Sequence, residues 1–202
     1  MNSITIDHLV PIATFILVAT ITPGPNNVML ASSGMNFGLR KTLPHIAGIH
    51  CGLYSLIVLA ALGINQALLD VPQILLLLRV SASIYLLYLA WKILGIRMLV
   101  QTSKDPKPLS LRQAALFQFA NPKAWIMSTS AMALAVPLVG SAQQALFTLC
   151  PTWAAVGFCC NCLWVLFGTN LGRALQVPKW RRIVNGTLAT LTVATVGMFW
   201  IN

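Results

Sequence analysis

Long apolar runs separated by short polar connections organise the whole chain. A membrane span takes about 20 apolar residues, at 1.5 Å of rise each across roughly 30 Å of hydrocarbon. Six segments meet that length, approximately 9–34, 43–68, 74–94, 114–136, 144–167 and 183–201. The pattern predicts an all-α integral membrane protein of six transmembrane helices. The connections are short except for 95–113, which holds Pro106 and Pro108. That basic stretch, 96–113, links halves 1–95 and 114–202 of one transmembrane domain covering 1–202, with no soluble domain. The apolar run from Leu9 to Ile21 resembles the core of a signal peptide, but no Lys or Arg precedes it and Asp7 stands where the positive region would be. It reads as a first transmembrane helix that is retained.

Two of these runs are interrupted. Thr22-Pro23-Gly24-Pro25-Asn26-Asn27 breaks the first, and Asn121-Pro122-Lys123 breaks the fourth. Proline removes a backbone donor and clashes with the preceding turn, so each cluster leaves main-chain groups without intrahelical partners. Hydrocarbon tolerates such groups only where neighbouring protein or a water-lined cavity satisfies them. Asn121 followed by Pro122 makes a good N-cap and first helical residue, so a helix restarts there. Each restart presents a partial positive charge to an anion such as a carboxylate. A packing kink is the plainer reading of the prolines. Three helices per half is an odd number, so the second half enters the membrane inverted. Each half opens with its interrupted helix, which is a 3+3 inverted-repeat-like layout with broken helices 1 and 4, as in secondary transporters. Beyond the breaks, the halves share no residue-level similarity.

Composition agrees with the pattern. Of 202 residues, 57% are hydrophobic and 8% charged, against about 25% charged in soluble domains. The net charge of +10 would suit a nucleic-acid partner, until its carriers are placed on the topology. Arg40 and Lys41 follow the first span; Arg97, Lys104, Lys107 and Arg112 follow the third; Arg173, Lys179, Arg181 and Arg182 follow the fifth. The opposite loops carry no cation. This positive-inside bias puts the basic loops in the cytoplasm and both termini outside, and the nucleic-acid reading loses its support. Trp91 and Trp180 fall near the inner interface and Trp200 near the outer one. Asp7, Asp70 and Asp105 are the only acidic side chains, which excludes chemistry built on paired buried carboxylates. All five cysteines (Cys51, Cys150, Cys159, Cys160, Cys162) lie in apolar runs, so a disulfide framework is not expected. Cys159, Cys160 and Cys162 suit a soft metal by type, but adjacent helical residues diverge and cysteine is also a small core hydrophobe.

A few polar residues remain inside the spans. Lys123 lies about eleven residues past Arg112, roughly 16 Å further along a helix. It either snorkels toward the interface or serves as counter-charge to a substrate carboxylate. A cation at the start of a half-helix is unfavourable for that helix, which argues for function. His45 and His50 share the second helix. With no Asp or Glu inside the membrane, they and Lys123 are its candidate proton carriers; the plainer reading is two hydrogen-bonded histidines. Gly48 and Gly52 permit close helix packing. Arg79, near the outer end of the third span, reads as structural. Asn161 and Asn185 fall toward the cytoplasmic side with Asn26, Asn27 and Asn121, suggesting a vestibule open to the cytoplasm.

Thr22-Pro23-Gly24-Pro25-Asn26 and Asn121-Pro122-Lys123-Ala124, supported by Gly38, Ala47, Gly48, Gly52 and the stretch from Tyr85 to Lys92, resemble the lysine/homoserine exporter (LysE/RhtB) family over essentially the whole chain. Pro25-Asn26-Asn27 and Gln118-Phe119 look most like its cysteine/O-acetylserine exporting branch. Ala82 and Ala90 stand where the family pattern has glycine. The resemblance implies a small inner-membrane exporter of amino acids or derivatives, a secondary transporter driven by the proton motive force. On that reading Pro23, Gly24, Pro25, Asn121, Pro122 and Lys123 bind the substrate carboxylate, while Asn26, Asn27 and Asn161 bind its amino end. His45 and His50 carry the coupling proton. The partners are a small amino acid and the lipid bilayer; no cofactor, metal or catalytic residue is expected. A homo-oligomer stays open, since the Gly48/Gly52 spacing is no evidence for one. Alternatives are a heavy-metal exporter using Cys51, His50 and the cysteines around Cys159, and a non-transporting assembly subunit. An intramembrane enzyme is disfavoured, because neither a carboxylate pair nor a Ser/His/Asp constellation can be assembled within the bilayer.

Overall fold

The computed structural model describes residues 5–64 and 107–174, together with scattered positions within 71–91 and 183–197. Arg79, Ala82, Ala90, Lys179, Trp180, Arg181, Arg182, Asn185, Trp200 and the linker up to residue 106 lie outside the described residues, as do most positions of the third and sixth expected spans. Among the described residues all regular structure is helical: α1 (Ile6–Ile21), α2 (Pro25–Ala61), α3 (Leu111–Ala120), α4 (Pro122–Val139), α5 (Ala142–Thr152), a π-helical turn (Trp153–Gly157) and α6 (Phe158–Ala174).

The 37 residues of α2 would make a straight rod of about 55 Å, nearly twice the hydrocarbon thickness. They do not. Gly38 has φ 75° and ψ 174°, a conformation that costs a side-chain-bearing residue strain and glycine little. The hydroxyls of Ser33 and Thr42 meet at 2.8 Å, although nine helical residues would separate them by roughly 13 Å. Leu30 packs in one apolar cluster with Ile46 and Ile49. The chain therefore turns back at Gly38 into two arms, 25–37 and 39–61, and Thr42 Oγ1 steadies the turn by donating to the Gly38 carbonyl at 2.8 Å. The apolar run at 9–34 is thus α1 plus the first arm, and the run from 43 onward is the second arm.

The first arm packs on α6 with the backbones nearly touching. A Cβ at Gly34 would collide with the Val165 backbone, and one at Gly168 with that of Ala31. Thr169 Oγ1 crosses the same contact to the Gly34 carbonyl at 3.0 Å. The second arm approaches α3 in the same way, through Gly48 against Leu111 and Gly52 against Ala115. Small residues are what permit such approach where apolar burial cannot drive helices together.

Pro151 lies inside α5 and supplies no N–H to the helical ladder. The register slips into the π turn just beyond it, and α5, the turn and α6 form a continuous apolar helix from Ala142 to Leu171. This helix and α2 are long and apolar enough to cross a membrane; α1 is apolar but shorter. Large apolar side chains such as Leu17, Leu62, Leu116, Phe147 and Leu163 face outward, as a lipid-facing surface requires.

Two buried apolar clusters form the interior. One gathers Ile12 and Ile16 of α1, Leu53, Leu56 and Ile57 from the end of α2, and residues of α4 and α5 through Trp153. The other gathers Leu30, Ile46, Ile49, Ala114 and Val165. Both helix breaks fall between them.

Candidate functional site

The first break is a gap in the backbone. Thr22 is extended at ψ 134°, Gly24 is extended, and Pro23 and Pro25 offer no N–H to the last carbonyls of α1. Those carbonyls form the negative end of the α1 dipole. Lys123, projecting from the start of α4, fills the gap: its Nζ donates to Thr22 O at 2.7 Å, Thr22 Oγ1 at 3.0 Å and Pro23 O at 3.4 Å. An ammonium has three donors, so all are engaged. The cation that is unfavourable at its own helix start is favourable at another helix's end, and it does not snorkel. Its stem explains Gly24, whose conformation any residue could adopt: a Cβ there would sit 3.0 Å from Lys123 Cδ and 3.1 Å from Nζ.

The second break closes itself. Asn121 Oδ1 accepts from the Lys123 backbone N–H at 3.2 Å, Pro122 needs no partner, and Trp125 Nε1 donates to Phe119 O at 2.9 Å, capping the end of α3. Each of these bonds lies within eight residues of sequence.

Amide side chains tie the two breaks together. Asn26 Nδ2 donates to Gln118 Oε1 at 2.8 Å and Gln118 Nε2 returns a bond to Asn26 Oδ1 at 3.1 Å. Gln118 Nε2 also reaches the Ala114 carbonyl at 3.0 Å. Asn27 Nδ2 donates to Thr20 O at 2.8 Å, across the first break. On the second arm of α2, His50 Nε2 meets the Asn161 amide at 3.3 Å and His50 Nδ1 meets the Tyr54 hydroxyl at 3.2 Å. With the amide as donor to Nε2, the neutral ring carries its proton on Nδ1 and donates to Tyr54.

These groups surround a cavity of about 30 Å³, room for one or two waters and far too little for an amino acid. Pro25, Asn26, Asn27, His50, Asn121, Lys123 and Asn161 line it, with Ala19, Thr20, Ile49, Leu53, Gln118, Ala124, Met127 and Trp153. Ile49 belongs to one apolar cluster and Leu53, Ala124 and Trp153 to the other. The polar groups therefore form a layer that touches both packed cores.

Most expected site residues converge here, though not all in the expected role. Pro23 and Gly24 contact Lys123 without lining the cavity, and Pro122 is buried at the start of α4. His45 and His50 are not brought together. Five residues along a helix set side chains about 140° apart, so His50 faces the cavity while His45, 2% exposed, is buried away from it with Nδ1 unpartnered. Among the described residues no three His, Cys, Asp or Glu side chains converge as metal ligands; Cys51 and Cys159 face outward while Cys160 is buried. Sequence reasoning gave no site role to Thr20, Thr22, Tyr54, Gln118 or Trp153. Gln118 had a signal, standing one turn before Asn121 on an apolar half-helix. Trp153 had another in Pro151, which displaces the register beside it.

A family model described as LysE type translocator matches residues 17–201. Three relatives carry the description cysteine/O-acetylserine efflux protein. The one from Klebsiella pneumoniae is 30% identical over 181 residues, 89% of this chain and 90% of its own length. That from Salmonella typhimurium is 29% identical, covering 89% and 91%, and that from Escherichia coli K12 is 28% identical, covering 89% and 91%. No solved structure gives a significant match.

Proposed function

Because this chain belongs to the LysE type translocator family, we propose that it is a secondary transporter exporting small amino acids or amino-acid derivatives from the bacterial cytoplasm, with cysteine- and O-acetylserine-like compounds as its substrate class. It is a membrane protein of amino-acid export, and its family is one of translocators, not enzymes. The finer architecture belongs to the same reading: one transmembrane domain of six spans in the inner membrane, two inverted halves, basic loops in the cytoplasm and both termini outside.

The observation that carries the reading is the clasp of Lys123, from the break in one half, on Thr22 and Pro23 at the break in the other. Two interlocks cross the breaks. Asn26–Gln118 joins the starting turn of α2 to α3, and Lys123–Thr22 joins α4 to the end of α1. With both made, the cavity is too small for substrate, so on this reading the transport cycle must open them. A substrate carboxylate competes with the Thr22 and Pro23 oxygens for the Lys123 ammonium and meets the helix start at Pro122. The amide oxygens of Asn26, Asn27 and Asn161 receive the amino end. Proton coupling falls to the imidazoles, His50 at the cavity and His45 about one and a half turns away on the same helix.

Counterflow of labelled amino acids in proteoliposomes, with and without a pH gradient, tests this. The purified protein should exchange small neutral amino acids, faster with the gradient. Absence of flux across a broad amino-acid panel would sink the transport reading. Persistence of proton coupling after both His45 and His50 are replaced would remove the imidazoles from it.

A further inference from the structure

Most threonine hydroxyls on the described helices return their proton to the backbone. Thr22, Thr42, Thr129, Thr148, Thr152 and Thr169 each donate to a carbonyl three or four residues back, at 2.7–3.1 Å. Thr20 does not. It lines the cavity, is 7% exposed, and its Oγ1 has no hydrogen-bond partner. A buried unpaired hydroxyl is costly, and native structures keep few of them without a reason.

The rest of the cavity wall sharpens the contrast. The Asn26 and Gln118 amides pair with each other, Asn27 is drawn to the Thr20 carbonyl, Asn161 holds His50, and Lys123 holds Thr22. A ligand that bonds Asn26, Gln118 or Lys123, or the N–H groups of Asn27 and Asn161, must first displace a protein partner. At Thr20 Oγ1 a ligand gains a bond and displaces no protein partner. The hydroxyl is neutral, so it is poorly matched to the carboxylate and ammonium ends, for which Lys123, the helix starts and the amide oxygens are better placed. It shares the cavity lining with Ala19 and the apolar Ile49, Leu53 and Met127, a surface suited to a short side chain with one polar atom.

Resting on the export reading above, we infer that Thr20 is a specificity-determining residue whose hydroxyl bonds the neutral polar substituent of the substrate side chain, a hydroxyl, thiol or ester carbonyl. Sites that hydrogen-bond such a group reject the alkyl analogue because their own polar atom is otherwise left unpaired.

The test is counterflow by the purified full chain with labelled serine, O-acetylserine and 2-aminobutyrate, in wild type, Thr20→Val and Thr20→Ser. Wild type should favour the two polar substrates. Thr20→Val should lower that preference roughly tenfold, chiefly by loss of polar-substrate transport, and Thr20→Ser should keep it. An unchanged preference in Thr20→Val, or an equal loss for all three substrates, overturns the assignment while leaving the export reading standing. So does a preference that collapses as far in Thr20→Ser as in Thr20→Val. Should Thr20→Val fail to fold, Thr20→Ala carries the same expectation. Wild-type protein that moves none of the three overturns the export reading, and this assignment with it.

Discussion

The two helix breaks solve the same problem by opposite means. At Asn121 the gap is one residue wide and its bonds come from nearby sequence: the Asn121 side chain caps α4, and Trp125 caps α3. At Thr22–Gly24 the gap is three residues wide, the N-cap position is a glycine with no side chain to offer, and the orphaned carbonyls are met by Lys123 from about a hundred residues away. The first break is thus conditional on the second half of the molecule, while the second is independent of the first. On the proposed transport reading, the Lys123 clasp is the contact between the halves that a charged ligand can take over.

Removing the shared bond should have the largest effect. Lys123→Ala leaves the Thr22 and Pro23 carbonyls unmet and, on the proposed reading, removes the counter-charge to a substrate carboxylate; efflux from cells should be abolished while membrane insertion, followed by fractionation, is retained. Wild-type efflux rates in that variant would take Lys123 out of the site. Next comes the amide interlock. Asn26→Ala and Gln118→Ala should each weaken the closed arrangement, and a double-mutant cycle on thermal stability in detergent should give a coupling of about 1 kcal/mol; additive effects would show that the pair does not join the halves. The self-contained break should respond least and most locally. Asn121→Ala should cost about 1 kcal/mol of stability, the usual worth of an N-cap, and a melting temperature unchanged from wild type would contradict the capping role.

How much of this was legible beforehand depended on range. Pro23, Pro25 and Pro122 marked both interruptions, because a missing N–H is a property of the residue itself. Asn121-Pro122 announced a helix start for the same reason. The hairpin at Gly38 could not be read in detail: a glycine in a polar turn is compatible with several geometries, and tertiary contacts such as Ser33–Thr42 show that α2 doubles back. His45 and His50 looked like a pair by type, yet helical rotation turns one to the cavity and the other away from it. The orphan state of Thr20 has no sequence signal at all, since other threonines on similar apolar stretches bond their own backbone.

Taken alone, then, the chain determined that it is an apolar, helical membrane protein, where proline interrupts its helices, and that few charged side chains are available. These follow from transfer free energies and from backbone chemistry carried residue by residue. Tertiary structure decided where the long side chains ended. A lysine stem can reach water, a ligand or another helix, and the sequence of α4 holds nothing that selects among them. What selects is the unmet negative end of α1, brought within 2.7 Å of the ammonium by the packing of the two halves.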